Sequence, residues 1–269
     1  MLAYTGKNVV IIGGTHGIGL ATAKLLLSQG ARVLLTGRRP DPIAEARAEL
    51  GITTTTTAGA AVVQFDITSA PASLSDLQAS IETHIGTGRA IDFLFINVGY
   101  ALLQPTAAVS EDSFDRTFNT NMRGPFFLTQ KLAPSIKPGG SILFTTSTSI
   151  ATGIPGMAVY SASKAAIYSF AQTLAAELAA HAKQEGEEAV RVNAISPGFV
   201  DTPTMGTVGI SREEKEAFVQ IGVKTTPVGR IASAEEVAKA AVFMGIEATY
   251  STGAELVVDG GLRPLKEGE

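Results

Sequence analysis

The residues of this chain best suited to proton chemistry are a tyrosine and a lysine separated by three residues. Tyr160 and Lys164 fall within an alanine-rich helical pattern, where residues four apart share one face. A free phenol titrates near pH ~10, and a neighbouring ammonium group lowers that pKa by stabilising the phenolate. The pair therefore predicts a general acid and base acting on a carbonyl or alcohol oxygen. Ser147, which ends an apolar run, is predicted to hydrogen-bond the same oxygen.

The spacing of Tyr160 and Lys164 has a simpler interpretation as well. Two such residues also occur on the exposed face of an ordinary amphipathic helix. The choice between the two interpretations depends on whether the rest of the chain supplies a cofactor site.

A glycine-rich turn follows the first apolar run. The turn lies between a predicted buried strand at 8–12 and a predicted helix at 20–29. Glycines permit a tight turn and let backbone N–H groups at a helix N-terminus approach a pyrophosphate. The alternative is a plain strand–helix turn with its histidine in solvent. The context predicts a dinucleotide loop with contacts from Gly13, Thr15, His16, Gly17, Ile18 and Gly19.

The end of the second predicted strand indicates which dinucleotide binds. An acid at this point would accept hydrogen bonds from the adenosine ribose hydroxyls. The chain has Arg38 and Arg39 there and no acid. Two guanidinium groups suit a 2′-phosphate, which favours NADP(H) over NAD(H). Two surface arginines are the alternative.

Strand and helix patterns alternate along the whole chain. This alternation predicts an α/β fold with a doubly wound parallel sheet in one domain, 1–269. A polar surface connection is predicted at 181–188, and a polar tail at 263–269. The predicted strands are 8–12, 32–36, 61–65, 91–96, 141–145, 190–195 and 256–259. A threonine-rich loop is predicted at 52–60, for which a strand is the alternative. The predicted helices are 20–29, 42–50, 74–84, 110–132, 159–180 and 234–245.

Composition excludes several classes of function. The formal net charge is −4 without a basic block, so no nucleic acid or anionic membrane partner is predicted. The absence of cysteine excludes thiol catalysis and cysteine metal sites, and three scattered histidines predict no metal site. Ser147 lacks the Gly-x-Ser-x-Gly context of a hydrolase. No signal peptide or spanning segment is recognised, so a cytoplasmic protein is expected.

Several further motifs occur in one order along the chain. They are the glycine loop, Asp66, Asn97-Val98-Gly99, Asn121, Ser147, Tyr160-x-x-x-Lys164, Pro197-Gly198 and Val257-Val-Asp-Gly-Gly261. Together they resemble the single-domain branch of the short-chain dehydrogenase/reductase family, from about Lys7 to Gly261. The resemblance implies a Rossmann-type sheet of seven strands, a nicotinamide cofactor and oxidoreduction of a carbonyl/alcohol pair.

The resemblance also implies a role for each matching residue. Tyr160 gives the proton in reduction and takes it in oxidation, and Lys164 lowers its pKa and binds the nicotinamide ribose. Ser147 steadies the substrate oxygen, and Asn121 holds a water in a proton relay to the lysine. The remaining implied cofactor contacts are Asp66, Ile67, Asn97, Gly99, Pro197, Gly198, Val200 and Thr202.

Two positions depart from the family pattern. Ile12 stands where the family often has threonine, and Ile96 where it often has a first asparagine. We expect apolar packing to replace a polar contact between these strand ends. The segment at about 203–223 resembles the family's variable substrate lid. Candidate pocket residues are Tyr100, Leu102, Ile150, Met157, Phe199, Met205 and Phe218.

The predicted function is NADPH-dependent reduction of a mildly apolar ketone or aldehyde. The alternatives are an NAD-dependent alcohol dehydrogenase, a non-catalytic dinucleotide-binding regulator, and an epimerase or dehydratase. The expected partner is a small-molecule carbonyl or alcohol. The resemblance further implies a homo-oligomer, a tetramer or dimer, with an interface at 110–132 and 159–180.

Overall fold

Parallel strands form a seven-stranded central sheet. The computed structural model describes residues 2–52, 59–203, 211–263 and 265. Its strands are β1 (Asn8–Ile12), β2 (Arg32–Gly37), β3 (Ala60–Gln64), β4 (Ile91–Ile96), β5 (Ile136–Thr145), β6 (Arg191–Pro197), β7 (Val200–Asp201), β8 (Ala232–Ser233) and β9 (Glu255–Val258). The sheet order is β3-β2-β1-β4-β5-β6-β9, with every pairing parallel, and β7 pairs separately with β8. The predicted doubly wound sheet is confirmed.

Helices cover both faces of the sheet. They are α1 (Gly17–Ser28), α2 (Pro40–Glu49), α3 (Leu74–His84), α4 (Glu111–Phe118), α5 (Gly124–Leu132), α6 (Ser149–Thr152), α7 (Ala158–Glu185), α8 (Arg212–Thr225) and α9 (Ala234–Val242). Successive strand residues point to opposite faces. In β1, Val10 and Ile12 pack in the core with α3, α5 and α7, while Val9 and Ile11 pack in the core with α1, α2 and α9. This two-sided burial explains why the strands are continuously apolar.

The sheet order fixes where a ligand site can form. From β1 the chain winds outward through β2 and β3, and then crosses to β4 on the other side of β1. The connections that leave β1 and β4 therefore diverge at their carboxyl ends and open a crevice there. The glycine loop follows β1 directly and so lies at this crevice.

The helical pattern predicted at 110–132 is interrupted in the structure. Ser110 caps α4 by accepting a hydrogen bond from the backbone N–H of Ser113 at 3.2 Å. A π-helical turn at Asn119–Arg123 then separates α4 from α5. Pro125 has no N–H to donate to the carbonyl of Asn121, so the α-helical bonding pattern cannot continue through this point.

The predicted connection at 181–188 is wrong in part, because α7 continues to Glu185. Alanine, lysine, glutamine and glutamate are good helix formers, and they extend the helix along the surface. Gly186 ends it with a left-handed φ of 70°. Within the described residues, no helix is long and apolar enough to cross a membrane. Most of the predicted loop at 52–60, residues 204–210 of the predicted lid and most of the predicted tail lie outside the described residues.

Candidate active site

The carboxyl ends of β1, β2, β5 and β6 border a cleft of about 500 Å³. Every sequence-predicted cofactor contact lines this cleft except Gly19. Three of the predicted catalytic residues, Ser147, Tyr160 and Lys164, line it as well. Residues separated by up to 189 positions in the chain, from Gly13 to Thr202, therefore meet at one site.

Three glycines of the loop have backbone angles or close contacts that disfavour a residue with a Cβ atom. Gly13 and Gly17 have left-handed φ angles of 83° and 55°. A Cβ atom on Gly19 would lie 2.2 Å from the carbonyl oxygen of Gly13. Gly19 thus allows α1 to pack directly against the loop, which explains why it lies behind the cleft rather than in it.

The N-terminus of α1 faces the cleft without a capping side chain. His16 occupies the N-cap position with extended backbone and makes no side-chain cap hydrogen bond, and the first turn holds no acid. The first amide groups of a helix have no partner within the helix and carry partial positive charge. Gly17 and Ile18 line the cleft at this point, so the loop fits an anionic group such as a pyrophosphate.

A cationic group of side chains borders the cleft beside this helix end. Arg38 and Arg39 follow β2, and neither pairs with an acid among the described residues. Burial and then the nearby charge of Arg39 lower the pKa of His16, while Glu45 opposes them. His16 is therefore mainly neutral at pH 7, and the two arginines supply the positive charge.

Asn97 ties the ends of three strands together. Its Nδ2 donates to the carbonyl of Gly13 at 3.0 Å, and its Oδ1 accepts from the hydroxyl of Thr145 at 2.8 Å. Ile12 and Ile96 are buried as expected. They pack in the same apolar core, and Asn97 adds a polar contact between the strand ends from the next position in the chain.

Asp66 stabilises the short turn that follows it in the chain. Its Oδ1 accepts hydrogen bonds from the backbone N–H and the hydroxyl of Thr68, at 2.9 and 2.8 Å. These bonds hold the short 3₁₀ turn at Ile67–Ser69 against the cleft. Ile67 is buried and packs in the core, so it reaches the cleft only at its edge.

Ser147 and Tyr160 meet at the inner end of the cleft. Burial raises the pKa of the Tyr160 phenol, and a hydrogen bond with Ser147 acts in the opposite direction. The backbone N–H of Ser149 donates to the Ser147 Oγ at 3.2 Å. This bond orients the serine hydroxyl, which leaves its proton available for donation towards the tyrosine side.

Lys164 is a deeply buried titratable group of the site. Its side chain is 2% exposed, and its Nζ donates to the carbonyls of Val98 and Thr145 at 3.0 and 2.7 Å. Burial lowers the pKa of Lys164 to about 7. The Nζ lies 5.8 Å from the Tyr160 ring centroid. The sequence predicted that lysine would lower the tyrosine pKa; in the structure burial is the larger effect and acts in the opposite direction.

Asn121 does not line the cleft. Its Oδ1 accepts from the Tyr100 N–H at 2.8 Å, and its Nδ2 donates to the Tyr100 carbonyl and to the Ser163 Oγ, both at 2.9 Å. The side chain therefore joins the segment after β4 to α7, and its neighbour Thr120 is the one that borders the cleft. A role for Asn121 in holding a water stays a prediction.

Comparisons with known proteins agree with this geometry. The chain matches the family model described as enoyl-(acyl carrier protein) reductase over residues 13–263. It is 33% identical over 268 residues to the oxidoreductase asL5 of Sarocladium schorii, covering 97% of each chain. It is 30% identical to the L-rhamnose 1-dehydrogenase (NADP(+)) of Thermoplasma acidophilum, covering 97% of this chain and 98% of the relative. The chain belongs to the short-chain dehydrogenase/reductase family.

A solved structure extends the similarity to the fold. The 3-ketoacyl-(acyl-carrier-protein) reductase from Brucella melitensis complexed with NADH has a TM-score of 0.81 at 28% identity, with 96% of this chain and 99% of that chain covered. The protein is therefore an oxidoreductase of the short-chain dehydrogenase/reductase family, which binds a nicotinamide dinucleotide and acts on small molecules. Within the described residues, no group of acids and histidines could hold a metal ion.

Sequence reasoning missed several residues of this short-chain dehydrogenase/reductase site. They are Ile12, Thr36, Gly37, Pro42, Phe65, Val98, Thr120, Thr145 and Thr146. Most follow or end a parallel strand, so their position at the carboxyl edge of the sheet was an available signal. Their side chains are not acids, bases, nucleophiles or charged groups, so their residue types alone do not indicate a functional role.

A smaller cavity of about 70 Å³ adjoins the cleft at Ser147 and Tyr160. Of the predicted pocket residues, Met157, Phe199 and Phe218 line this cavity, and Tyr100 lines the larger cleft. Leu102 and Ile150 line neither of the two, and Met205 lies outside the described residues. The cavity borders the proton-transfer pair and is therefore the candidate substrate pocket.

Proposed function

We propose that the protein is an NADPH-dependent reductase of small ketones or aldehydes, with Tyr160 as the proton donor. The observation that carries the proposal is the meeting of Ser147, Tyr160 and Lys164 at the inner end of a cleft that begins at the glycine loop. One end of this cleft suits a dinucleotide, and the other suits proton transfer to an oxygen.

The residues present fit a nicotinamide dinucleotide. The tight glycine turn and the uncapped N-terminus of α1 suit its pyrophosphate. Arg38 and Arg39 suit a 2′-phosphate. The end of β2 carries no acid of the kind that would bind the ribose hydroxyls of NAD(H). When bound, NADPH supplies the hydride that reduces the substrate carbonyl carbon. The NADP(+) in one relative's name supports this preference, whereas the NADH in a solved neighbour belongs to that protein.

Tyr160 is prepared to give a proton. Burial keeps its phenol protonated at neutral pH, so it starts as the acid that reduction requires. Its Oη–H protonates the carbonyl oxygen as negative charge develops there. Ser147 donates a second hydrogen bond to the same oxygen and stabilises that charge.

Lys164 completes the proton transfer in this proposal. With a pKa of about 7, it exchanges its proton readily at neutral pH. The loss of the Tyr160 proton places a phenolate near its Nζ, and this charge favours the ammonium form of the lysine. The carbonyls of Val98 and Thr145 hold that ammonium in place.

The test is NADPH oxidation with a panel of small ketones and aldehydes, with Tyr160→Phe as the main variant. We expect this variant to lower kcat by about 10²- to 10⁴-fold, the range for loss of a general acid. Its affinity for NADPH, measured by fluorescence, should change by less than about threefold. Tyr168→Phe on the same helix is the matched control and should keep full turnover. NADPH binding without turnover of any carbonyl would instead favour the non-catalytic regulator.

A further inference from the structure

The last residue of β2 is a glycine because of the space around it. Gly37 pairs with Gln64 of β3 in the regular parallel register, and its φ angle lies outside the left-handed range. The backbone at this position is therefore open to other residues. A Cβ atom here, however, would lie 2.4 Å from the Cγ2 and 2.8 Å from the Oγ1 of Thr15. The side chain of Thr15 thus occupies the space that any larger residue at position 37 would need.

The glycine loop holds Thr15 in this place. The N–H of Gly14 donates to the carbonyl of Thr36 at 2.9 Å, and the N–H of Gly13 donates to the Thr36 Oγ1 at 3.3 Å. Thr15 follows directly in the chain and is 7% exposed. The loop backbone cannot move away from the end of β2 without breaking these bonds, so Thr15 cannot retreat with it.

Rotation of the Thr15 side chain does not empty the space either. Threonine carries two heavy atoms on its Cβ, and three staggered positions are available to them. Two of these positions face Gly37, because the Cγ2 and the Oγ1 both lie within 2.8 Å of the point where its Cβ atom would be. Every rotamer therefore leaves at least one heavy atom against Gly37. Serine has a single such atom, and alanine has none.

Position 37 is the place where an acid would change the choice of dinucleotide. Gly37, Thr15 and Arg38 all line the cleft. In dinucleotide-binding folds, an acid about 20 residues after the glycine loop accepts a hydrogen bond from the ribose 2′-hydroxyl. A carboxylate there would also repel a 2′-phosphate. An acid at the end of β2 would therefore favour NAD(H) over NADP(H).

We propose that Thr15 is a determinant of the cofactor preference, because its side chain excludes an acid from position 37. The proposal rests on the proposed function, in which the cofactor is NADPH. Arg38 and Arg39 attract the 2′-phosphate, and Thr15 prevents the arrangement that would favour NAD(H). The effects of substitutions at positions 15 and 37 are therefore coupled, and a change at position 37 alone does not convert the enzyme from one cofactor to the other.

A double-mutant cycle in urea unfolding tests the contact without any cofactor. Gly37→Ala adds only the Cβ atom, and we expect it to raise the equilibrium constant of unfolding by at least about tenfold. Thr15→Ala removes both atoms of the contact. In that background Gly37→Ala should change the constant by less than about twofold or lower it, since alanine costs less conformational entropy than glycine. Thr173→Ala, on the exposed face of α7, is the matched control and should show no coupling with Gly37→Ala.

Calorimetric titration with NADH and NADPH tests the consequence for binding. Gly37→Asp alone should leave the affinity for NADH within about twofold of the wild type. In the Thr15→Ala background, the same substitution should strengthen NADH binding and weaken NADPH binding, each by about tenfold. Comparison with Thr15→Ala cancels any effect that loss of the threonine has by itself. Thr15→Ser should permit the same change in preference, because serine can rotate its single heavy atom away.

The possible failures of the two proposals can be told apart. Additive effects of Thr15→Ala and Gly37→Ala on unfolding would show that the threonine does not restrict position 37, and would overturn the inference. A gain in NADH affinity from Gly37→Asp that is equal with and without Thr15 would overturn it as well, as would the absence of a gain in both backgrounds. Equal affinity of the wild type for NADH and NADPH would instead refute the proposed cofactor preference, and the unfolding cycle would still test the contact.

Discussion

Replacing Lys164 by methionine should make the pH dependence of folding stability visibly different from that of the wild type. Lys164 is 2% exposed, and burial lowers its pKa from 10.5 to about 7. Between these two values the unfolded chain holds a proton on this lysine and the folded chain does not. The unfolded state then binds more protons, so this group makes the free energy of unfolding increase as the pH rises from 7 towards 10.5. Methionine binds no proton and removes this contribution.

The structure gives the size of the effect. One pKa unit corresponds to about 1.4 kcal/mol, so the lysine contributes a slope of about 1.4 kcal/mol per pH unit within this range. From pH 7.5 to 9.0 the difference in stability between wild type and Lys164→Met should therefore change by about 2 kcal/mol. The methionine variant gains relative to the wild type at the lower pH. Loss of the hydrogen bonds to Val98 and Thr145 also affects stability, but equally at both pH values.

The assay is urea unfolding of the cofactor-free protein at several pH values, at one protein concentration because association shifts apparent stability. Taking the difference between variants cancels every titrating group that they share. Lys183→Met, on the exposed end of the same helix, is the matched control and should give a difference that does not vary with pH. A constant difference for Lys164→Met would mean that this lysine stays charged in the folded protein. That result would refute both its lowered pKa and its proposed part in proton transfer.

The remaining predictions concern the cofactor, the loop and assembly. In calorimetry, Arg38→Ala should weaken NADPH binding by about 10- to 100-fold through loss of a charge-assisted bond, and NADH binding by less than about twofold. Arg32→Ala, at the opposite end of β2, should leave the affinity for both cofactors unchanged. Gly19→Ala places a Cβ atom 2.2 Å from the Gly13 carbonyl oxygen and should lower the free energy of unfolding by about 1–3 kcal/mol, whereas Gly59→Ala meets nothing closer than 3.9 Å and should be nearly neutral. Light scattering of the wild type should show a dimer or tetramer, and a monomeric wild type would contradict this expectation. Phe114→Asp, on the exposed side of α4, should shift the oligomer towards the monomer.

Hydrophobic pattern was sufficient to predict the sheet, because each strand of the core is buried on both faces. The run at Asn8–Ile12 has exposed fractions near zero from Val9 onward, so its apolar character follows directly from its central position. The interruption at Asn119–Arg123 was harder to predict from the sequence. It depends on Pro125, which breaks the bonding pattern, and on Gly124, where a Cβ atom would lie 2.4 Å from the Ile67 carbonyl oxygen. The proline is visible in the sequence, but the close packing of Gly124 against Ile67 is not.

The bonding of a polar side chain was harder to predict than its position. Asn97 lines the cleft and Asn121 does not, and the side chains of both join backbone segments.

The Tyr160 and Lys164 pair shows most clearly where sequence reasoning ends. A spacing of four residues on a helix predicts that the two side chains share a face, and the 5.8 Å between the Nζ and the ring agrees with it. Spacing says nothing of burial, however, and burial moves the two pKa values apart: upward from 10.0 for the Tyr160 phenol and downward from 10.5 to about 7 for the Lys164 ammonium group. Both groups are therefore stabilised in their neutral forms before the reaction begins. In this state the site disfavours the charged form of either group, and the neutral phenol is the form that the proposed reduction requires.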